Sequence, residues 1–141
     1  MGILYQQETA LSVAEFAALL ADAEPDLHRP VNDEPRLMAM LANADLIVTA
    51  RDAEHRLVGI ARCLTDFVWT CYCAELAVHS SCRGQGIGTA MILYCRQILG
   101  PQVSFNLTSV PAAAAFYDRI GPRIGMHRIV DAFCITRERG V

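Results

Sequence analysis

The sequence predicts an α/β fold of three layers, in which helices cover both faces of a mixed β-sheet. Helical spacing of apolar residues occurs twice near the start of the chain and twice in its second half, and strand-like apolar runs fill the segments between. At 141 residues with 53% hydrophobic content, the chain is long enough to bury one core. We therefore expect a single domain that spans residues 1–141.

Two helices are predicted before the main strands. Ser12 caps the first, which extends to Ala23 with Glu15 at the capping-box position. The second covers Asp33–Asn43, with Pro35 in its first turn. Apolar residues at helical spacing should face the sheet, namely Val13, Phe16, Leu19 and Leu20 in the first helix and Leu37, Met38 and Leu41 in the second.

The remaining elements alternate between strands and helices. Strands are predicted over 46–50, 56–64, 71–78 and 103–107, and a terminal hairpin over Met126–Asp131 and Phe133–Arg137. A third helix runs from Gly86 to Leu99 with an inward stripe of Ile87, Met91, Tyr94 and Ile98. Ser109 is the expected cap of a fourth helix that has Pro111 in its first turn.

A glycine-rich turn between the strand 71–78 and the third helix predicts an anion site. Gly84, Gly86 and Gly88 let the backbone turn sharply, and the first N–H groups of the helix are left unpaired. A dinucleotide fingerprint fails at its sixth position, which is Thr89, and a Walker A motif fails because the chain has no lysine. Arg83 adds a guanidinium suited to phosphate.

This loop resembles the diphosphate loop of the GNAT N-acyltransferases. Arg83, Gly86 and Gly88 occupy the family positions, and the segment 115–121, Ala-Phe-Tyr-Asp-Arg-Ile-Gly, is similar to a second family signature. The resemblance implies a mixed, mostly antiparallel sheet with a splayed central strand pair. It also implies acyl transfer from acetyl-CoA, or a related acyl-CoA, to a primary amine. Val110 and Pro122 depart from the family pattern, and we expect Val110 to weaken cofactor binding and Pro122 to reshape the rim beside the substrate.

The resemblance assigns the cofactor contacts to two segments. The backbone of Leu76, Ala77 and Val78 would hold the thioester carbonyl and the pantetheine arm of acetyl-CoA, and an N–H there would stabilise the oxyanion. The diphosphate would be held by Arg83 and by the loop and first helical turn, which comprise Gly84, Gln85, Gly86, Ile87, Gly88 and Thr89.

Two side chains are candidates for proton transfer. The resemblance makes Tyr117 the general acid to the leaving thiolate, because a phenol is protonated at neutral pH. The alternative is a core aromatic residue. Glu75 is the candidate base, since a carboxylate in an apolar strand needs a partner or a task, and in a regular strand it would share the side of Cys73 and Ala77. Its alternative is a structural pair with an arginine such as Arg62.

The acceptor site is predicted only in outline. Asp66, Arg29 and Trp69 suggest a polar pocket with an aromatic wall, although a turn cap is the simpler explanation for Asp66. Acidic residues between the first two helices form either a solvated loop or a mouth that attracts amines: Asp22, Glu24, Asp26, Asp33 and Glu34. A small-molecule amine is the expected acceptor, and a protein or peptide amine or an idle acyl-CoA-binding regulatory module are the alternatives.

The composition of the chain limits the kinds of partner that we expect. A net charge of −3 and a pI near 5.7 disfavour nucleic acid. The sequence has neither an apolar run long enough for a bilayer nor a signal peptide, so we expect a cytoplasmic protein with no membrane partner. The six cysteines lie mostly in apolar segments without a paired C-x-x-C motif, which predicts reduced thiols and no metal. Exposed sheet edges allow a homodimer.

Overall fold

The sheet consists of five strands that follow one another across it in chain order. The computed structural model describes residues 2–129 and 131–138. Neighbouring strands are antiparallel except for the last pair, which is parallel. The strands are β1 Leu4–Gln7, β2 Leu46–Arg51, β3 Leu57–Thr65, β4 Thr70–Val78 and β5 Ser104–Asn106, and the helices are α1 Val13–Asp22, α2 Glu34–Ala42, α3 Ile87–Leu99 and α4 Ala114–Ile124.

Two apolar clusters, one on each face of the sheet, confirm the three-layer architecture. On one face, residues of α1 and α2 pack against Ile47, Ile60 and Ala77. On the other, α3 packs against alternate residues of β2, β3 and β4. Gly59 lets α3 approach closely, since a Cβ there would lie 3.0 Å from the Met91 side chain. In the described ranges, none of the helices has the length and apolar content needed to cross a bilayer.

The cap predicted from the sequence is present at α1 but not at α4. Ser12 Oγ accepts a hydrogen bond from the Glu15 N–H at 3.3 Å, and Asp33 caps α2 in the same way. The inward prediction for Met38 is wrong, because its side chain is 54% exposed. Ser109 does not cap α4: its hydroxyl donates to the Val110 carbonyl, and a 3₁₀ turn at Pro111–Ala113 precedes the helix.

The inward stripe of α3 is also shifted from the prediction. Ile98 is 36% exposed, whereas Ile92, Cys95 and Leu99 are buried together with the predicted Ile87 and Met91. The face of α3 that packs is set by its contact with the strands, because the helix crosses the sheet surface. Helical spacing alone does not decide which of several neighbouring apolar residues faces the sheet.

The edge strand β1 was not anticipated by the sequence pattern. It pairs with β2 over four residues and is fixed at its end by Glu8, whose carboxylate accepts from Arg51 Nε at 2.8 Å and from the Thr49 hydroxyl. Arg51 also donates to Glu15 of α1 at 2.6 Å. One guanidinium therefore joins the end of the β1 strand, β2 and α1.

We expect this link to make stability depend on pH in the acid range. Hydrogen bonding from Arg51 outweighs burial and lowers the pKa of Glu8 from 4.5 to about 2. The carboxylate therefore stabilises the fold above its unfolded pKa, by up to about 3 kcal/mol, and this contribution disappears as the pH falls from about 4.5 towards 2. Chemical unfolding should show that the difference in the free energy of unfolding between wild type and Glu8→Gln shrinks as the pH falls through this range. Glu34→Gln, which changes an exposed carboxylate, should show no such dependence on pH.

The predicted terminal hairpin is wrong for the residues that the structure describes. Residues 126–129 and 131–138 form no strand, and Val130 and residues beyond 138 lie outside the described ranges. Helix α4 continues through Pro122 and ends at Gly125, where the Met126 N–H bonds to the Gly121 carbonyl at 2.9 Å. Phe133 and Ile135 are fully exposed. Alternating apolar residues form a strand only where a partner strand meets them, and β5 is three residues long.

Five of the six cysteines lie in the folded body. The thiols of Cys63, Cys71, Cys73 and Cys95 are buried and free. Cys134, predicted in an apolar strand, is instead exposed. In residues 2–129 and 131–138, no three His, Cys, Asp or Glu side chains converge closely enough to hold a metal ion.

Candidate active site

The sheet opens between β4 and β5. Pairing of these parallel strands covers only three residues, Thr70 to Tyr72 against Ser104 to Asn106. Beyond Tyr72, the rest of β4 has no β5 partner in the described sheet, so its backbone groups on that side are not used in a strand ladder. The splayed strand pair implied by the resemblance is therefore present.

A β-bulge lies at the same point of β4. Arg62 is opposite Glu75, but Cys63, the next residue of β3, is opposite Cys73, which leaves Ala74 as the extra residue. One extra residue moves the following side chains to the other face. Cys73 therefore lies in the α3 cluster and Ala77 in the α1–α2 cluster. The expectation that Glu75 shares a side with both is wrong for Cys73.

Glu75 is sealed between two arginines. Its side chain is 1% exposed, and it accepts from Arg62 Nε at 2.6 Å and Arg62 Nη2 at 2.9 Å. Arg29 Nε lies 3.4 Å from the same carboxylate. A buried bidentate ion pair satisfies the hydrogen-bonding capacity of the carboxylate, so no catalytic role is needed to explain why Glu75 is buried. These contacts favour the structural alternative, and a role as base stays a prediction.

Arg29 reaches the bulge from the connection between α1 and α2. Its Nη2 donates to the Ala74 carbonyl at 2.8 Å and its Nη1 to the His28 carbonyl at 2.8 Å, while 27% of its side chain remains exposed. The bulge carbonyl is thus held by a side chain 45 residues away in sequence. Of the three predicted acceptor contacts, this is the one placed at the opening of the sheet.

Tyr117 approaches the bulge from the opposite face. It is half-buried on α4, and burial raises the pKa of its phenol above 10, with a smaller contribution from the nearby Cys73 thiol. Its ring packs edge-on against Phe116 at 5.0 Å between centroids. Phe116 in turn lies over Gly88, where a Cβ would come within 3.2 Å of the ring. Gly88 therefore allows α4 to pack against the first turn of α3.

A groove of about 730 Å³ lies beside Tyr117, between α3, the end of β5 and α4. Its wall includes residues 104–109, which comprise β5 and the segment after it, and the segment 126–129 that follows α4. The groove therefore lies beside β5 on the α3–α4 side of the sheet.

The predicted anion loop has the backbone that its glycines suggested. Gly84 and Gly86 adopt φ of +79° and +80°, and no atom lies within 4 Å of where their Cβ atoms would be. Gly86 caps α3 without a side-chain hydrogen bond, so the first amides of α3 face outward unpaired by any cap side chain. Arg83 is exposed beside the loop, with its Nε 3.4 Å from the Val78 carbonyl. These groups fit a diphosphate.

A contact that sequence reasoning missed supports this loop. Asp22, at the end of α1, accepts from the Ser80 N–H and the Ser80 hydroxyl, both at 2.7 Å. His79 Nε2 lies 3.4 Å from the same carboxylate. Although burial acts against it, hydrogen bonding from Ser80 lowers the pKa of Asp22. No local signal marks this pair, because 58 residues separate its members.

Two predicted acceptor residues lie away from the opening. Asp66 Oδ1 accepts from the backbone N–H groups of Val68, Trp69 and Thr70, and these bonds lower the pKa of Asp66. It is thus a turn cap between β3 and β4. Trp69 is 76% exposed at the same turn. Ala74 lies five positions further along the chain, which corresponds to about 16 Å of strand.

Comparison with known proteins matches this geometry to a family. The sequence model of the acetyltransferase (GNAT) domain matches residues 42–121, more than half of the chain. Comparison with curated protein sequences gave no match.

Three solved structures show the same fold over nearly the whole chain. A ribosomal-protein-alanine N-acetyltransferase from Brucella melitensis biovar Abortus 2308 is 21% identical, with a TM-score of 0.71 and coverage of 97% of this chain and 100% of that one. An aminoglycoside acetyltransferase from an uncultured soil metagenomic sample, in complex with sisomicin, is 19% identical, with a TM-score of 0.69 and coverage of 96% and 97%. An aminoglycoside N-acetyltransferase in complex with CoA is 13% identical, with a TM-score of 0.68 and coverage of 98% and 95%. Together with the domain match and the opened sheet, these likenesses lead to one conclusion: the chain belongs to the GNAT acetyltransferase family and is an acyltransferase.

Proposed function

We propose that the protein transfers the acetyl group of acetyl-CoA to the primary amine of a small molecule, by direct attack in a ternary complex. The observation that supports this best is the bulged second half of β4, which has β3 but not β5 beside it and is followed by the glycine loop at the start of α3. A thioester held along β4 and a diphosphate held at the loop would require this continuity.

The residues present fit acetyl-CoA in two places. The outward amides from Gly84 to Thr89, with the Arg83 guanidinium, would bind the diphosphate, because both supply donors and positive potential. The backbone of Leu76 to Val78, on the side that faces away from β3, would bind the pantetheine arm and the thioester carbonyl. When bound, acetyl-CoA supplies an activated acyl group with a thiolate leaving group.

Proton transfer is assigned to Tyr117 and structural support to Glu75. The raised pKa of Tyr117 keeps its phenol protonated at neutral pH, so the hydroxyl can donate to a leaving thiolate near Cys73 and the bulge. Glu75 is turned to the other face and neutralised by Arg62. We therefore propose that Glu75 fixes the bulge rather than accepting a proton from the amine.

Acetyl-CoA binding to a loop variant tests the proposal. Gly86→Glu forces a side chain into a positive φ and places a carboxylate where the diphosphate would bind. We expect calorimetry to show acetyl-CoA affinity reduced by at least about tenfold. Gly100→Glu is the control for a glutamate at a positive φ away from the loop, because Gly100 has a φ of +85° at the other end of α3 and no described atom lies within 4 Å of its missing Cβ.

Thiol release across a panel of amines completes the test. Turnover with any amine, together with weaker binding in Gly86→Glu only, would support the acetyltransferase. Binding without turnover would instead favour a regulatory acyl-CoA-binding module, and turnover with peptides alone would favour a protein acceptor. Equal acetyl-CoA affinity in both glycine variants would contradict the assignment of the loop.

A further inference from the structure

We propose that the acceptor is a small amine that also has a carboxylate, the chemical class of the free amino acids, and that Arg29 binds this carboxylate. The inference rests on the proposed function and names its substrate class. It starts from the position of Arg29 at the opening of the sheet, between the bulge and solvent.

The side of β4 that the acceptor must use follows from the topology. The glycine loop, α3 and Tyr117 lie on the face of the sheet that holds Cys73. An acceptor amine attacking a thioester held along β4 therefore needs a path from the other face, where the α1–α2 connection lies. Arg29 is the side chain of that connection that contacts the bulge, through the Ala74 carbonyl.

The charges at this point favour an anion. Arg29 and Arg62 both lie against the single carboxylate of Glu75, which leaves one positive charge in excess. Arg62 and Glu75 are buried, whereas Arg29 is 27% exposed, so the excess charge is presented to solvent by Arg29. A carboxylate arriving there would gain a charge-assisted bond at a site already partly removed from water.

Arg29 keeps donors for such a ligand. A guanidinium has five N–H groups, of which Nε faces Glu75, one on Nη1 donates to His28 and one on Nη2 donates to Ala74. The remaining N–H on each terminal nitrogen can point towards one carboxylate. The existing contacts hold the guanidinium plane, so little side-chain entropy remains to be lost on binding.

The acidic residues of the same region do not offset this charge at the bulge. Asp22 is held by Ser80, Glu24 by His28 at 2.9 Å, and Asp33 by the first turn of α2. Asp26 and Glu34 are exposed. Among the described residues, none of these carboxylates pairs with Arg29, and their contacts favour structural roles over the alternative of a mouth that attracts amines.

Paired substrates test the inference in the wild-type protein. Each amino acid in a panel is compared with its own carboxamide, which keeps the amine and removes the charge of the carboxylate. Because the amine of the carboxamide is less basic and more of it is neutral, intrinsic reactivity favours the amide. We expect kcat/KM to favour the acid by at least about tenfold for the preferred side chain. Polyamines and aminoglycosides should be poorer than the acid.

Arg29→Gln identifies the group responsible. We expect the acid-to-amide ratio to fall to within about twofold of unity through a higher KM for the acid, with the KM for acetyl-CoA unchanged. Arg56→Gln, on the exposed turn after β2, is the control and should keep the wild-type ratio.

The outcomes separate this inference from the proposed function. Turnover that is equal for acid and amide, or confined to amines without a carboxylate, would overturn the inference and leave the acetyltransferase intact. Absence of acetyl-CoA binding and of turnover with every amine would overturn both. A wild-type preference for the acid that Arg29→Gln retains when folded would remove Arg29 from the role, and the wild-type ratio remains decisive if that variant does not fold.

Discussion

Replacing Tyr117 with Phe is expected to lower kcat by about 100-fold or more, with acetyl-CoA affinity within about twofold of wild type. The change removes one hydroxyl and keeps the ring that packs against Phe116. General acid catalysis typically contributes this factor, and the loss appears in kcat because the proton is needed only as the thiolate leaves. Steady-state kinetics with calorimetric binding would measure both quantities.

Tyr5→Phe is the matched control for this variant. Tyr5 is also a partly buried phenol whose pKa is raised by burial, but it lies on β1. It should retain wild-type kcat. Because the pKa of Tyr117 is raised above 10, kcat should show no loss from ionisation of this phenol below about pH 10. A kcat for Tyr117→Phe within threefold of wild type would assign Tyr117 to the core.

Replacing Glu75 with Gln is expected to destabilise the protein by about 3–5 kcal/mol. The variant leaves Arg62 charged and buried, with 9% of its side chain exposed, and it removes the partner that Arg29 shares. Removal of one member of a buried pair exposes the desolvation cost of the other, which is the reason for the size of the effect. Urea unfolding would measure the change in the free energy of unfolding.

The exposed carboxylate of Glu54 provides the control. It pairs with Arg56 at 2.9 Å, and the side chains are 71% and 73% exposed. Glu54→Gln should change stability by less than about 1 kcal/mol, since water screens the pair. A Glu75→Gln variant of wild-type stability that had lost its turnover would contradict the structural role and support Glu75 as the base.

Local sequence signals predicted the first two helices and the glycine loop because each depends on groups a few residues apart. Ser12 and Glu15 belong to one helical turn, and so do Asp33 and the start of α2. The positive φ of Gly86 follows from the tight turn by which the chain enters α3. Such features are decided by the chain's own short-range sterics and hydrogen bonds.

The features that escaped prediction depend on partners distant in sequence. The bulge at Ala74 is a mismatch between β3 and β4, and the sequence of β4 alone contains no mark of it. The face of Glu75 was misjudged for that reason. Trp69 and Asp66 are residue types that often line binding pockets. They lie in the turn between β3 and β4, at the end of β4 opposite to the glycine loop. The tail has the apolar alternation of a strand without a strand to meet it.

The bulge has a consequence for how the protein could be altered. Strand β4 changes phase at Ala74, so Cys73 lies in the layer of α3 whereas Ala77, four residues later, lies in the layer of α1 and α2. Deletion of Ala74 would remove the extra residue and leave Cys73 opposite Cys63 and Glu75 opposite Arg62, so every later side chain would keep its layer. The packing of the two layers therefore does not require the bulge, whereas the carbonyl that Arg29 holds would be lost with it.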